Sequence, residues 1–251
     1  MTRWVTKKIS QQAAIRLFCF PFAGGGASCF SDWNKFLGDD IAVCSVQLPG
    51  RESRFHEPRF TSFKDLIDEL YDQLVPYLEQ PYAFYGHSLG ALIAYSLTYQ
   101  CYLDQSPLPL ALFVGAHCAP HLPHSFPSCK NMNFQEIRDF LLKFGGFPQE
   151  IVNSPEWMEV LLPIVRDDFL VCESYNSRTI EALPCPLFSF GGLLDKMVSY
   201  QDILAWRCHT TQQFESYFYS GGHFFLKTHK QLLLEQIQQI LQKSLHKSKM
   251  S

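Results

Sequence analysis

A mostly parallel α/β sheet flanked by helices, with a helical insertion, is the fold class that this 251-residue sequence predicts. Three observations predict it. Strand-like apolar runs alternate with helical patterns along most of the chain, and that alternation builds parallel pairing through βαβ crossovers. Gly86-His87-Ser88-Leu89-Gly90 stands between one such run and the helical pattern after it. The interval between Gly115 and Pro186 is too long for a simple crossover, so it holds extra helices.

Strands are expected near residues 15–20, 41–46, 82–85, 110–115, 186–190 and 214–219. The first ends in Pro21-Phe22-Ala23-Gly24-Gly25-Gly26, a glycine-rich turn. A nucleotide-binding loop would carry G-x-G-x-x-G or G-x-x-x-x-G-K-[ST], and neither occurs. A helix near 62–78 places Phe63, Leu66, Ile67, Leu70, Tyr71 and Leu74 at helical spacing behind the cap Ser62, with Pro76 bending its last turn. The closing helix, from about His229, carries Leu233, Ile237, Ile240 and Leu241 on one face.

Within the long interval, Phe134, Ile137, Leu141 and Phe144 make one amphipathic stripe, and Trp157, Leu161, Ile164, Val165 and Phe169 make another. Phe144-Gly145-Gly146-Phe147-Pro148 separates them. The expectation is a single domain over 1–251 with a lid of two or three helices inserted at about 118–182. Its apolar faces, Phe140 and Phe144 among them, would wall a channel for a lipid-like substrate. The alternative is that these faces merely pack on the domain.

Composition narrows the class. A hydrophobic share of 47% with 22 phenylalanines supplies a sizeable core. The formal charge of −3 gives no strong field for nucleic acid, and the basic end, Lys243 to Lys249, reads as a solvated tail. Nine cysteines without a C-x-x-C pair fit free thiols in a reducing compartment. The first residues lack the apolar core of a signal peptide, and no run approaches the roughly twenty apolar residues of a membrane span. A cytoplasmic location is expected. His117, Cys118, His121, His124 and Cys129 invite a metal reading, but they match no zinc-ligand pattern and share their stretch with three prolines. Neither a metal nor a cofactor is expected.

The chemistry centres on Ser88. A strand-turn-helix setting makes the pentapeptide a nucleophile elbow, whose tight turn requires glycine flanks and presents the serine at a helix N-terminus. A serine needs a base for its proton and a carboxylate to orient that base. Asp195 follows the strand ending at Phe190 and His223 follows the strand ending at Tyr219, so both fall at carboxyl edges, where open parallel sheets gather their ligand sites. Asp167, Asp168 and Asp202 fall in helical patterns and are weaker rivals. His87, the free position in the elbow, reads as packing beside the nucleophile. The amide of Leu89, with that of Phe22 or Ala23 from the glycine-rich turn, supplies an oxyanion hole.

Pro21 to Gly26, Gln47-Leu-Pro-Gly-Arg-Glu52 with Glu57-Pro58, Gly86 to Gly90, Pro163-Ile-Val-Arg-Asp-Asp168 and Gly221-Gly-His-Phe-Phe225 together resemble the type II thioesterases. The resemblance implies the α/β-hydrolase fold. The family includes stand-alone partners of polyketide and nonribosomal peptide synthetases and the medium-chain fatty-acid synthase thioesterase. It implies hydrolysis of acyl groups from the phosphopantetheine arm of a carrier protein, with Ser88, Asp195 and His223 as the triad. Asp167 departs from the pattern, since the family usually has alanine there. Arg51, Arg54 and Arg59 suit either an acidic carrier or ordinary loop-fixing salt bridges with the interleaved Glu52 and Glu57. A carboxylesterase or lipase would use the same triad, whereas a non-catalytic binding protein would normally have lost part of it.

Overall fold

The structure is a computed structural model that describes residues 2–6, 12–123, 128, 132–145, 147, 149–176 and 180–248. His124, Cys129, Gly146 and the side chain of Phe144 lie outside the described residues. In chain order the elements are β1 (Ile15–Phe20), β2 (Ile41–Ser45), α1 (Phe63–Leu74), β3 (Tyr82–His87), α2 (Leu89–Leu103), β4 (Leu112–Gly115) and α3 (Phe134–Phe144). There follow α4 (Gln149–Asn153), α5 (Pro155–Ser174), β5 (Leu187–Gly192), α6 (Tyr200–Leu204), β6 (Phe214–Tyr219), α7 (Phe225–Thr228) and α8 (Lys230–Ser248).

The six strands form one sheet in the order β2-β1-β3-β4-β5-β6, and every ladder between them is parallel. Connections run one way from β1 to β2 and the other way from β3 onward. The order therefore reverses between β1 and β3, and a crevice opens at their carboxyl ends. The turn at Pro21–Gly26 and the elbow at Ser88 leave the sheet there.

Alternation along the strands sends side chains to two cores. Phe18 and Phe20 of β1 pack with Phe84, Leu70 and Leu92 on the face covered by α1 and α2. Leu17 and Cys19 point the other way, into a cluster that joins Phe113 and Phe190 to Leu233, Ile237 and Leu241 of α8. Ser62 caps α1 by accepting the Asp65 amide, and Pro76 falls in a 3-10 turn over Val75–Tyr77, as the bend at that proline requires. β3 and β5 run two residues past their expected ends, through Gly86-His87 and Gly191-Gly192, because the ladder tolerates glycines that weaken a strand pattern in sequence.

The interval between β4 and β5 holds α3, α4 and α5, which build a cluster of their own from Ile137, Leu141, Val152, Met158, Leu161, Val165 and Phe169. The stripes fail at their outer ends. Phe134 is 51% exposed and Trp157 60% exposed, because each stands in the first turn of its helix and turns away from the residues that pack. The basic end differs too: residues 243–248 continue α8 instead of trailing as a tail.

Candidate active site

Ser88 sits at the turn between β3 and α2 with φ 55° and ψ −119°, a conformation that costs a non-glycine residue strain. Close packing around the turn imposes it. A Cβ on Gly86 would lie 1.9 Å from the Gly90 carbonyl oxygen, and one on Gly90 would lie 2.1 Å from that of Phe20. Both flanks must be glycine, which lets α2 start hard against β1 and β3 and leaves the Leu89 amide, in the first turn of α2, without an intrahelical acceptor.

Asp195 and His223 meet across the loops after β5 and β6. The His223 Nδ1–H donates to Asp195 Oδ2 at 2.8 Å, and both side chains are buried. The other carboxylate oxygen accepts the amides of Met197 at 2.8 Å and Val198 at 3.3 Å, so the acid cannot rotate away from the imidazole. With Nδ1 so engaged, Nε2 is the nitrogen left to face a substrate. Ser88 and His223 line one pocket, together with Phe22, Ala23, Phe140 and Phe169.

His87 props this arrangement from beneath. Its Nε2–H donates to the His223 carbonyl at 2.8 Å, and Nδ1 accepts from the Tyr85 hydroxyl at 3.2 Å. Burial, and then the nearby His223, push its pKa well below the ordinary imidazole value, so it stays neutral. It is a clamp on the loop that carries His223.

The turn at Pro21–Gly26 is held from outside. Gly24 has φ +78°, and its amide donates to Asp168 Oδ2 at 2.7 Å, while the Gly25 amide donates to the Phe22 carbonyl at 2.8 Å. Phe22 and Ala23 are the members of this turn that border the pocket. Asp168, on α5, also receives a two-pronged grip from Arg51 at 2.5 and 2.7 Å, and Arg51 reaches the Gly25 carbonyl at 3.3 Å. Gln47 completes the support by accepting the Ala27 amide at 3.0 Å. The insertion is thereby bolted to the turn.

Sequence reasoning misses Asp168 and Arg51 in this role. One signal was available: Asp168 stands three and four residues beyond Val165 and Ile164, on the apolar face of its helix, where a lone carboxylate implies a buried partner. Of the three arginines, Arg54 alone makes the expected pair with an interleaved glutamate, whereas Arg51 and Arg59 reach Asp168 and Asp167 of α5 and Glu52 accepts from Ser28. Arg54 pairs with Glu57 and donates to the Gln47 carbonyl, and Arg59 pairs with Asp167 at 2.6 Å. Asp202 caps α6 with Ser199. His117 Nδ1 lies 2.7 Å from the Cys118 carbonyl, whereas His121 turns toward His209, so these two histidines have different partners.

The thioesterase domain family matches residues 15–244. The chain is 37% identical to the gramicidin S biosynthesis protein GrsT of Aneurinibacillus migulanus over 94% of its own length and 92% of that protein. It is 33% identical to the medium-chain S-acyl fatty acid synthase thioesterase of Homo sapiens, covering 86% of this chain and 82% of that one. Its fold superposes on the type II thioesterase BorB from the borrelidin biosynthetic cluster with a TM-score of 0.85, at 29% identity, over 94% of this chain and 96% of that structure.

Proposed function

The chain belongs to the thioesterase family of the α/β-hydrolase fold and is a thioester hydrolase, and from that premise we propose that Ser88, His223 and Asp195 are the triad that cleaves acyl thioesters borne on a carrier protein. The support is geometric. A strained serine at the sheet's switch point shares a pocket with an imidazole whose far nitrogen is fixed by a buried carboxylate.

His223 Nε2 takes the Ser88 proton as Oγ attacks the thioester carbonyl. The developing oxyanion is met by the Leu89 amide and that of Ala23 or Phe22, and Asp195 stabilises the imidazolium through Nδ1–H. Collapse expels the phosphopantetheine thiolate, which takes the proton from Nε2 and leaves an acyl-serine. Water then enters, gives its proton to His223 and repeats the attack, and Ser88 recovers its proton as the acid departs. No step calls for a cofactor.

The insertion acts as a lid on the single domain. Phe140 and Phe169, whose ring centres lie 5.4 Å apart, form the apolar wall on its side of the pocket. The relatives named for gramicidin S biosynthesis and fatty-acid synthesis support a carrier domain of a fatty-acid, polyketide or nonribosomal peptide synthase as partner. Among the described residues no helix is long and apolar enough to cross a membrane, and eight cysteines are free thiols, which supports work in the reducing cytoplasm.

Rates on acyl carrier protein thioesters against nitrophenyl esters of the same acyl group test this. The carrier thioester is expected to be preferred in kcat/KM by roughly tenfold or more, the scale of about 1.4 kcal/mol of added transition-state binding. Equal or better turnover of the nitrophenyl esters would make the chain a general esterase in practice.

A further inference from the structure

We propose that His121, Cys208 and His209 form a binding site for a borderline-soft divalent cation, of which Zn²⁺ is the type, separate from the Ser88 pocket. His121 lies in the segment that leaves β4 for the insertion, and Cys208 and His209 end the 3-10 turn Ala205–His209 that continues α6. None of the three lines the Ser88 pocket.

One ligand atom from each residue lies within 4.8 Å of the others. His121 Nδ1 is 3.7 Å from Cys208 Sγ and 2.8 Å from His209 Nε2. Zn–N bonds of about 2.0–2.1 Å and a Zn–S bond of about 2.3 Å, at tetrahedral angles, set nitrogen and sulfur roughly 3.5 Å apart and two nitrogens roughly 3.3 Å apart. The nitrogen-sulfur spacing nearly fits already. The imidazoles need to part by about half an ångström, exchanging their mutual hydrogen bond for two metal bonds.

The His209 lone pair is aimed correctly, and His121, whose Nδ1–H donates to it in the metal-free protein, ligates through Nδ1 once its proton has moved by way of solvent to its own Nε2. His209 Nδ1 lies 3.0 Å from the Tyr95 hydroxyl, which in turn donates to the Glu181 carbonyl at 3.4 Å. This relay puts the proton on Nδ1 and leaves the Nε2 lone pair facing His121 and Cys208, the outer-sphere support that metal-bound histidines require. The Cys208 thiol donates to the Ala205 carbonyl at 3.1 Å. Binding breaks that S–H bond: the sulfur pair forms the metal bond and the proton passes to solvent, to which the half-buried His121 and Cys208 give access. Three protein ligands leave the fourth position to water.

The bound cation would tie the root of the insertion to the segment after α6. These two stretches also meet through the Ala119 amide on the Asp202 carbonyl and the Trp206 indole on the His117 carbonyl.

Co²⁺ serves as the probe, added to the full-length chain after chelator treatment under reducing conditions. One equivalent is expected to produce tetrahedral ligand-field absorption with a thiolate-to-cobalt charge-transfer band, both erased by Zn²⁺. The band is expected to vanish in Cys208→Ser, and the affinity to fall roughly tenfold or more in His121→Ala, the scale on which lost ligand support weakens metal sites. Absence of the band in the wild type overturns the proposal, as does a band that survives Cys208→Ser. Loss in Cys208→Ser without weakening in His121→Ala would mean an adventitious thiol complex, and also overturns it.

Discussion

The proposed nucleophile, Ser88, takes its conformation from backbone that its own side chain does not build, since the elbow is set by Gly86 and Gly90. Ser88→Ala is therefore expected to fold normally and to lose kcat by roughly a million-fold, the scale for a triad nucleophile, with circular dichroism and turnover as the paired readouts. Asp195→Asn is expected to cost roughly ten-thousand-fold, because an amide cannot hold the Nδ1–H tautomer of His223. Asp168 serves structure instead. It is the buried partner of Arg51 and the acceptor for the Gly24 amide, so Asp168→Ala leaves a guanidinium uncompensated and is expected to cost about 3–5 kcal/mol in denaturant unfolding. Asp167→Asn, whose pair with Arg59 is part-exposed, is expected to cost no more than about 1 kcal/mol. The candidate triad is legible in sequence because each member follows a strand. The role of Asp168 is not, because its partners lie 117 and 144 residues away and only the tertiary fold brings them together.

At the scale of elements, the insertion does two jobs with different faces. Ile137, Leu141, Val165 and Phe169 give it a core of its own, while Asp168 fastens α5 to the turn below and Phe140 lines the pocket. Helical spacing makes the stripes legible but cannot say where they stop, so it assigns Phe134 and Trp157 to an interior that they do not reach. Phe140→Ala is expected to change the rank order of acyl lengths, lowering kcat/KM several-fold for longer chains, on the order of 1 kcal/mol per lost contact, with little effect on an acetyl thioester. A panel of acyl carrier proteins reads this directly; an equal factor at every length would make the ring mere packing.

For the whole molecule, the six-stranded parallel sheet is legible because β1 to β6 are apolar runs punctuated by glycine and proline, and because parallel order follows from helices between strands. The strand order is not, since nothing local tells β1 that it lies between β2 and β3. Nor does sequence separate the reading of His87 as filler from its role as a clamp. That role has a stability consequence. Its folded pKa lies below the unfolded value of about 6.5, so the unfolded chain binds the extra proton first, and stability is expected to fall as pH drops below about 6.5. Urea midpoints from pH 8 to 5, on the order of that window, check it, and His87→Gln is expected to flatten the slope. Whether Ser88 carries the acyl group, with His223 and Asp195 as base and orienting acid, is decided by mixing the enzyme with an acyl carrier protein thioester, quenching in acid and mapping the adduct by mass spectrometry. The expected outcome is a single acyl group on the peptide containing Ser88, absent in Ser88→Ala. An acyl group on a cysteine, with turnover retained in Ser88→Ala, would refute the serine mechanism.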